Sequence, residues 1–209
     1  MKELILIRHG ETDWNNQFRI QGNKDIPLNN KGIERAEYLA SYLNYKYDSN
    51  IDIIYSSDLL RAIQTVTPLS IQLNMSFIKK STLREQNFGI LEGEVFKELT
   101  EEKRELLLKV LYDKDYQPNE NHGIESLADF NNRISKELKL IIDSEENKDN
   151  TIVVVTHGGV IKSIVCEILG LTKGHSRRLI TVNNTSITTI KRKKYDGTPY
   201  IETLNLFDY

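Results

Sequence analysis

Three stretches of the chain are apolar at nearly every position: Leu4-Ile5-Leu6-Ile7, Ile51 to Tyr55 with Asp52 interrupting, and Ile152-Val153-Val154-Val155. Such short unbroken runs, rich in β-branched residues, predict strands buried on both faces in a sheet covered by helices on either side. Between the runs the apolar period lengthens. Leu39, Tyr42 and Leu43 share one face of the segment Glu34 to Tyr47, while Leu127, Phe130, Ile134, Leu138 and Ile141 recur at spacings of three and four. Both are the stripe of an amphipathic helix. Ser126 followed by Asp129 has the pattern of a capping box at the start of the second helix. Met75 to Lys79 reads as a further short strand. Near the end, Ser186 to Ile190 and Tyr200 to Leu206 alternate around Asp196-Gly197, a hairpin signal that adds an antiparallel element. The expected fold is a three-layer α/β/α domain with a mixed, mostly parallel central sheet.

Residues from about 88 to 123 break this rhythm. A charged helical piece, Glu98 to Lys109, leads into a polar run, Asp113 to His122, that contains Pro118. We expect an insertion or lid over one end of the sheet, within a single domain spanning 1–209, a length that fits one domain and supports a core without staples. The single cysteine, Cys166, cannot form an internal disulfide and falls among Ile164, Val165 and Ile168, where packing is expected. With 28 Lys plus Arg against 30 Asp plus Glu, the net charge of −2 gives no overall cationic field. Nucleic acid and anionic membranes are therefore set aside as partners, and a small molecule is expected. The apolar run at the N-terminus is too short for a signal-peptide core, and no stretch approaches the roughly 18 apolar residues of a membrane span. A cytoplasmic protein is the expectation, and a homodimer is left open.

Ligands of open α/β sheets bind beyond the carboxyl ends of the strands. After the first run come Arg8, His9, Gly10, Glu11 and Thr12; after the second Ser56, Ser57, Asp58 and then Arg61; after the third Thr156, His157, Gly158 and Gly159. Two histidines and two arginines thus converge on one edge. Arginine forks and glycine-bearing helix N-termini suit phosphate oxygens. A neutral imidazole can accept a phosphoryl group while a second one bonds the equatorial oxygens, so phosphoryl transfer could proceed without a metal or other cofactor. Glu85, in the turn-like Leu83-Arg84-Glu85-Gln86, is the candidate acid for the leaving oxygen. His122, His175, the Arg177-Arg178 pair and the basic run Lys191 to Lys194 are read as structural or solvated groups.

These residues resemble the histidine phosphatase superfamily, which includes the cofactor-dependent phosphoglycerate mutases. Leu6-Ile7-Arg8-His9-Gly10-Glu11-Thr12-Asp13-Trp14-Asn15 is similar to the family's opening signature, with Gln21-Gly22, Asp25, Pro27, Leu28 and Gly32 as its continuation. Ser57 to Thr65, Leu83 to Gly93 and Thr156-His157-Gly158-Gly159 are similar to the later ones. The resemblance implies a phosphoglycerate mutase-like fold. It implies His9 as the phosphorylated nucleophile, Arg8, Arg61 and His157 as the phosphate pocket, Glu85 as the general acid, and Asn15, Gln21, Gly22 and Gly158 as further phosphate or substrate contacts. The mutases follow the acid with an Arg-His-Tyr type sequence and the second histidine with Gly-Asn, and they carry paired arginines in a longer central insertion. Here Gln86-Asn87-Phe88 and Gly158-Gly159 stand instead, with no Arg-Arg pair between Phe88 and Gly123. The pattern Phe88 to Gly93 resembles the phosphatase branch, which includes broad-specificity and α-ribazole phosphatases. The expected activity is hydrolysis of small phosphate monoesters. Mutase activity, a non-catalytic phosphate-binding module and a metallohydrolase using His9, His157 and Glu85 are the alternatives.

Overall fold

The structure, a computed structural model, describes residues 2–48, 50–143, 149–172 and 174–209. Six strands form one sheet in the order β3-β2-β4-β1-β5-β6, with β1 Glu3–Arg8, β2 Ile53–Ser57, β3 Ile78–Lys80, β4 Thr151–Thr156, β5 Ile187–Arg192 and β6 Pro199–Leu206. β1, β2 and β3 run parallel to β4 or to one another, whereas β5 pairs antiparallel with β1 and β6 antiparallel with β5. The predicted mixed, mostly parallel sheet and the C-terminal hairpin are both present.

The apolar runs are continuous because successive side chains enter different layers. Leu4, Leu6, Ile152 and Val154 pack with Phe130, Ile134 and Leu138 of α5 (Leu127–Asp143) and with Val160, Ile161 and Ile164 of α6 (Gly158–Ile168). Ile5, Ile7, Val153 and Val155 point the other way, onto Leu39 and Leu43 of α2 (Asn30–Tyr47) and Val66 and Leu69 of α3 (Leu60–Leu73). Each fully buried side chain of this kind contributes about 1.5–3 kcal/mol. Cys166 is buried in the first of these layers.

Several boundaries differ from the sequence reading. α2 starts at Asn30, because the Asn29 side chain caps it by accepting the Gly32 N–H at 2.8 Å. The charged helix, α4, is Glu101–Tyr112, its start set by the Thr100 hydroxyl bonding the Lys103 N–H; a short helix, α1, spans Asp13–Asn16. β3 begins at Ile78, three residues later than read, where pairing with Tyr55 starts. Between residues 88 and 123 the chain gathers its own apolar cluster of Phe88, Leu91, Leu99, Leu107 and Val110. Buried Gln86 ties this segment down by donating to the carbonyls of Val110 and Glu125 at 3.2 and 3.1 Å. Among the described residues, no helix is long and apolar enough to cross a membrane.

Candidate active site

β2, β4 and β1 are neighbours and parallel, so their carboxyl ends meet on one edge. Arg8 pairs with Thr156 at the last register position, and His9 N–H continues the ladder to the Thr156 carbonyl at 2.9 Å. His9 and His157 therefore stand side by side, ring centroids 5.2 Å apart. His9 Nδ1 lies 2.7 Å from the Gly10 carbonyl. A carbonyl only accepts, so the proton is on Nδ1 and the Nε2 lone pair is free. Burial, then the cations Arg61 and Arg8, hold the His9 pKa well below 6.5, which keeps the imidazole neutral near pH 7. The same causes, burial first and Arg61 next, act on fully buried His157. Its Nε2 meets Ser57 Oγ at 2.8 Å across the β4–β2 pair, while Nδ1 is buried without a partner.

Arg61, in the first turn of α3, is fully buried. Its Nη1 and Nη2 donate to the carbonyls of Lys24 and Gly22, both at 2.7 Å, and burial lowers its pKa to about 10. Gly22 supplies that carbonyl from a left-handed backbone, φ +51°, with no room for a side chain because Glu92 fills the space. Glu92 itself accepts the N–H groups of Asn23 and Phe88 at 2.7 and 3.0 Å, so it is a brace between two loops. Gln21 precedes Gly22, with Oε1 buried and unpartnered. Arg8 Nη1 donates to the Val182 carbonyl at 2.7 Å, and its Nε is left without a partner. Asn15 spends Oδ1 on Thr12 and on Asn184 Nδ2, and Asn184 also holds the His9 carbonyl at 3.0 Å.

Glu85 reaches the same edge from the loop after β3. Thr156 Oγ1 anchors that loop through the Leu83 carbonyl at 2.7 Å, and Arg133 of α5 bonds the carbonyls of Thr82 and Arg84 at 2.7 and 3.0 Å. The carboxylate accepts from the Gln86 N–H at 3.0 Å and, at 2.9 Å, from the Gly159 N–H in the first turn of α6. With Arg8, Gly158 and Gly159 it lines a cleft of about 290 Å³. Gly158 opens α6, and Arg8 Nε lies 3.4 Å from where its Cβ would stand. All nine residues singled out from the sequence thus gather here. Ser57, Asn184 and Arg133 also position the site, yet neither periodicity nor spacing marks them. Ser57 alone stood among the strand-end residues.

Two readings are corrected. Arg177 is not a solvated turn charge: it is 5 % exposed, in a short 3-10 turn (His175–Leu179) that lays it over Phe130 and into the cleft. Arg178 is exposed and stacks on Tyr112. Of the basic run, Lys191 and Arg192 are not turn charges but lie in β5, paired with Glu202 at 2.7 Å and Asp143 at 2.8 Å, whereas Lys193 and Lys194 are exposed beyond the strand. Of the aromatic side chains in the 88–123 segment, Tyr112 lines the cleft, Tyr116 packs on that segment's own cluster, and Phe96 is 41 % exposed. No group of three or more His, Cys, Asp or Glu among the described residues is arranged to hold a metal ion.

Known proteins are similar to this chain over most or all of its length. The chain is 32 % identical to phosphoglycerate mutase-like protein 4 of Arabidopsis thaliana over 93 % of its own length and 80 % of that protein's. A mutant phosphoserine phosphatase from Entamoeba histolytica, solved with phosphoserine, is 32 % identical and superposes with a TM-score of 0.83, covering 100 % of this chain and 98 % of that one. A mycobacterial glucosyl-3-phosphoglycerate phosphatase, solved with VO3, is 26 % identical with a TM-score of 0.82, covering 99 % and 100 %. The sequence profile of one family, the histidine phosphatase superfamily (branch 1), matches residues 4–206. With strand-end histidines held neutral by burial and by the neighbouring arginines, and with the family profile matched over residues 4–206, the chain belongs to the histidine phosphatase superfamily.

Proposed function

We propose that the protein is a phosphatase that hydrolyses small phosphate monoesters through a phosphohistidine on His9, with no metal. The observation that carries this reading is the neutral His9 imidazole, its Nδ1–H fixed on Gly10 and its Nε2 free, beside Arg8, Arg61 and His157.

In the first step Nε2 attacks phosphorus, an N–P bond forms, and the P–O bond to the alcohol breaks. Glu85 gives its proton to the departing oxygen, so a neutral alcohol leaves. Arg8, Arg61 and the Nδ1–H of His157 stabilise the equatorial oxygens; in that tautomer His157 Nε2 is the acceptor and the Ser57 hydroxyl, 2.8 Å away, is its donor. In the second step the Glu85 carboxylate takes a proton from water as water attacks phosphorus. The N–P bond breaks, phosphate leaves, and His9 and Glu85 return to their starting states. Asn15, Gln21, Gly22 and Gly158 make further contacts to the phosphoryl group, and the 88–123 segment acts as the lid.

The test is rapid acid-free quenching during turnover of labelled monoester in excess EDTA. The wild type should carry an acid-labile phosphate on His9, and His9→Ala should carry none and lose turnover. Phosphate on another residue, or activity restored only by added Mg²⁺ or Zn²⁺, would overturn the mechanism.

A further inference from the structure

The cleft beside Glu85 has walls of Phe88, Leu111 and Tyr112 on the side of residues 88–123, and of Arg8, Lys162 and Arg177 on the side of the sheet. Its charges do not balance, because three cations face the one carboxylate of Glu85. Arg8 adjoins His9 and is taken by the transferred phosphoryl group. Lys162 and Arg177 are not.

Arg177 is almost fully buried, its guanidinium carbon 5.2 Å from the Phe130 ring and its Nη1 without a hydrogen-bond partner. Lys162, one turn into α6, is half-buried, and burial together with Arg177 and Arg8 lowers its pKa. Two cations lining one poorly solvated cleft repel each other, and an anion between them reverses the sign of that interaction.

The position of the pair says where on a substrate that anion sits. A Cβ built on Gly159 would fall 2.2 Å from Glu85 Oε1 and 2.8 Å from Arg177 Nη2. The carboxyl group and the guanidinium therefore approach one point above the first turn of α6. An ester oxygen that meets Glu85 brings the next carbons of its alcohol toward Arg177. A volume of about 290 Å³ is at the small end for ligand sites, which suits a phosphoryl group with a short chain rather than a nucleotide. The planar guanidinium fork suits a carboxylate.

Resting on the phosphatase reading above, we propose that Arg177 and Lys162 form a carboxylate subsite, and that the substrates are phosphate esters of short hydroxy acids. The cations come from α6 and the turn after it, not from the central insertion, which has no Arg-Arg pair between Phe88 and Gly123.

The experiment compares kcat/KM for 3-phosphoglycerate, O-phosphoserine, glycerol 3-phosphate and propane-1,3-diol bisphosphate in the wild type, Lys162→Met, Arg177→Met and Arg177→Lys. The wild type should prefer 3-phosphoglycerate over glycerol 3-phosphate by about 10²-fold, and that ratio should fall to near unity in Arg177→Met and about tenfold in Lys162→Met. Arg177→Lys should retain part of it. Should Arg177→Met fail to fold by circular dichroism, Lys162→Met and Arg177→Lys carry the decision. A ratio unchanged in Lys162→Met, or a bisphosphate preferred over both acids, would overturn the carboxylate subsite. Equal turnover of glycerol 3-phosphate and 3-phosphoglycerate would remove the subsite and leave the phosphatase standing, whereas no turnover of any monoester would remove both.

Discussion

Replacing Gly159 by alanine should leave the fold intact while displacing the acid. Gly159 lies in the first turn of α6 with a backbone that any residue adopts, and alanine is favoured over glycine in a helix by up to about 1 kcal/mol. Stability should therefore be unchanged or slightly raised. The new methyl group, however, would stand 2.2 Å from Glu85 Oε1 and 2.8 Å from Arg177 Nη2. Both are ends of flexible side chains, so they give way rather than the helix. Contact at ordinary van der Waals distance requires Oε1 to withdraw by about 1 Å, and a displacement of that size costs on the order of 10²-fold in rate. The loss should appear with alkyl phosphates, whose leaving oxygen needs the proton. The nitrophenol burst of p-nitrophenyl phosphate should change little, because nitrophenolate leaves unaided. Thermal unfolding and stopped-flow kinetics measure the two halves, with Glu85→Gln as the reference that removes the proton without adding bulk. A Gly159→Ala enzyme that hydrolyses alkyl phosphates within about twofold of wild type would show that Glu85 is not the leaving-group acid.

Two further outcomes follow from the buried charges. Arg61→Ala should lower kcat/KM by about 10²- to 10³-fold equally for aryl and alkyl esters, since its charge acts on the transferred group; a loss graded by leaving group would assign it elsewhere. His9 and His157 have folded pKa values well below 6.5, so below that pH the unfolded chain binds protons that the folded chain does not. Stability is then full above about pH 6.5 and falls on acidification, by about 1.4 kcal/mol per pH unit for each histidine. Urea unfolding between pH 5 and 6.5 should show a slope smaller by one proton in His9→Asn, and an unchanged slope would contradict the neutral, buried His9.

The strands were legible because burial on both faces leaves an unbroken apolar run, and the residues just past them were legible because a parallel sheet aligns its carboxyl ends. Glu85 was harder to read. It reaches the edge by way of a loop clamped by Arg133 and Thr156, long-range contacts that no local pattern carries. Arg177 was misread for the same reason: two adjacent arginines look alike in sequence, and only the turn over Phe130 buries one and leaves the other in solvent. Asn184 holds the His9 carbonyl from a loop that precedes β5 by two residues, and nothing in Asn183-Asn184 announces it.

The apolar cluster of residues 88–123 shares no buried residue with either layer on the sheet. Its links to the strand ends are polar and few, through Gln86 on the Val110 carbonyl and Glu92 between the Asn23 and Phe88 N–H groups. The alcohol would then be held between two walls, an oily one from the 88–123 segment and a charged one from α6 and its following turn, which meet where Arg178 and His175 lie against Tyr112. Substitution in the oily wall would change the bulk and shape accepted, whereas substitution at the charged wall would change the charge accepted, so the two kinds of selectivity would respond to different mutations.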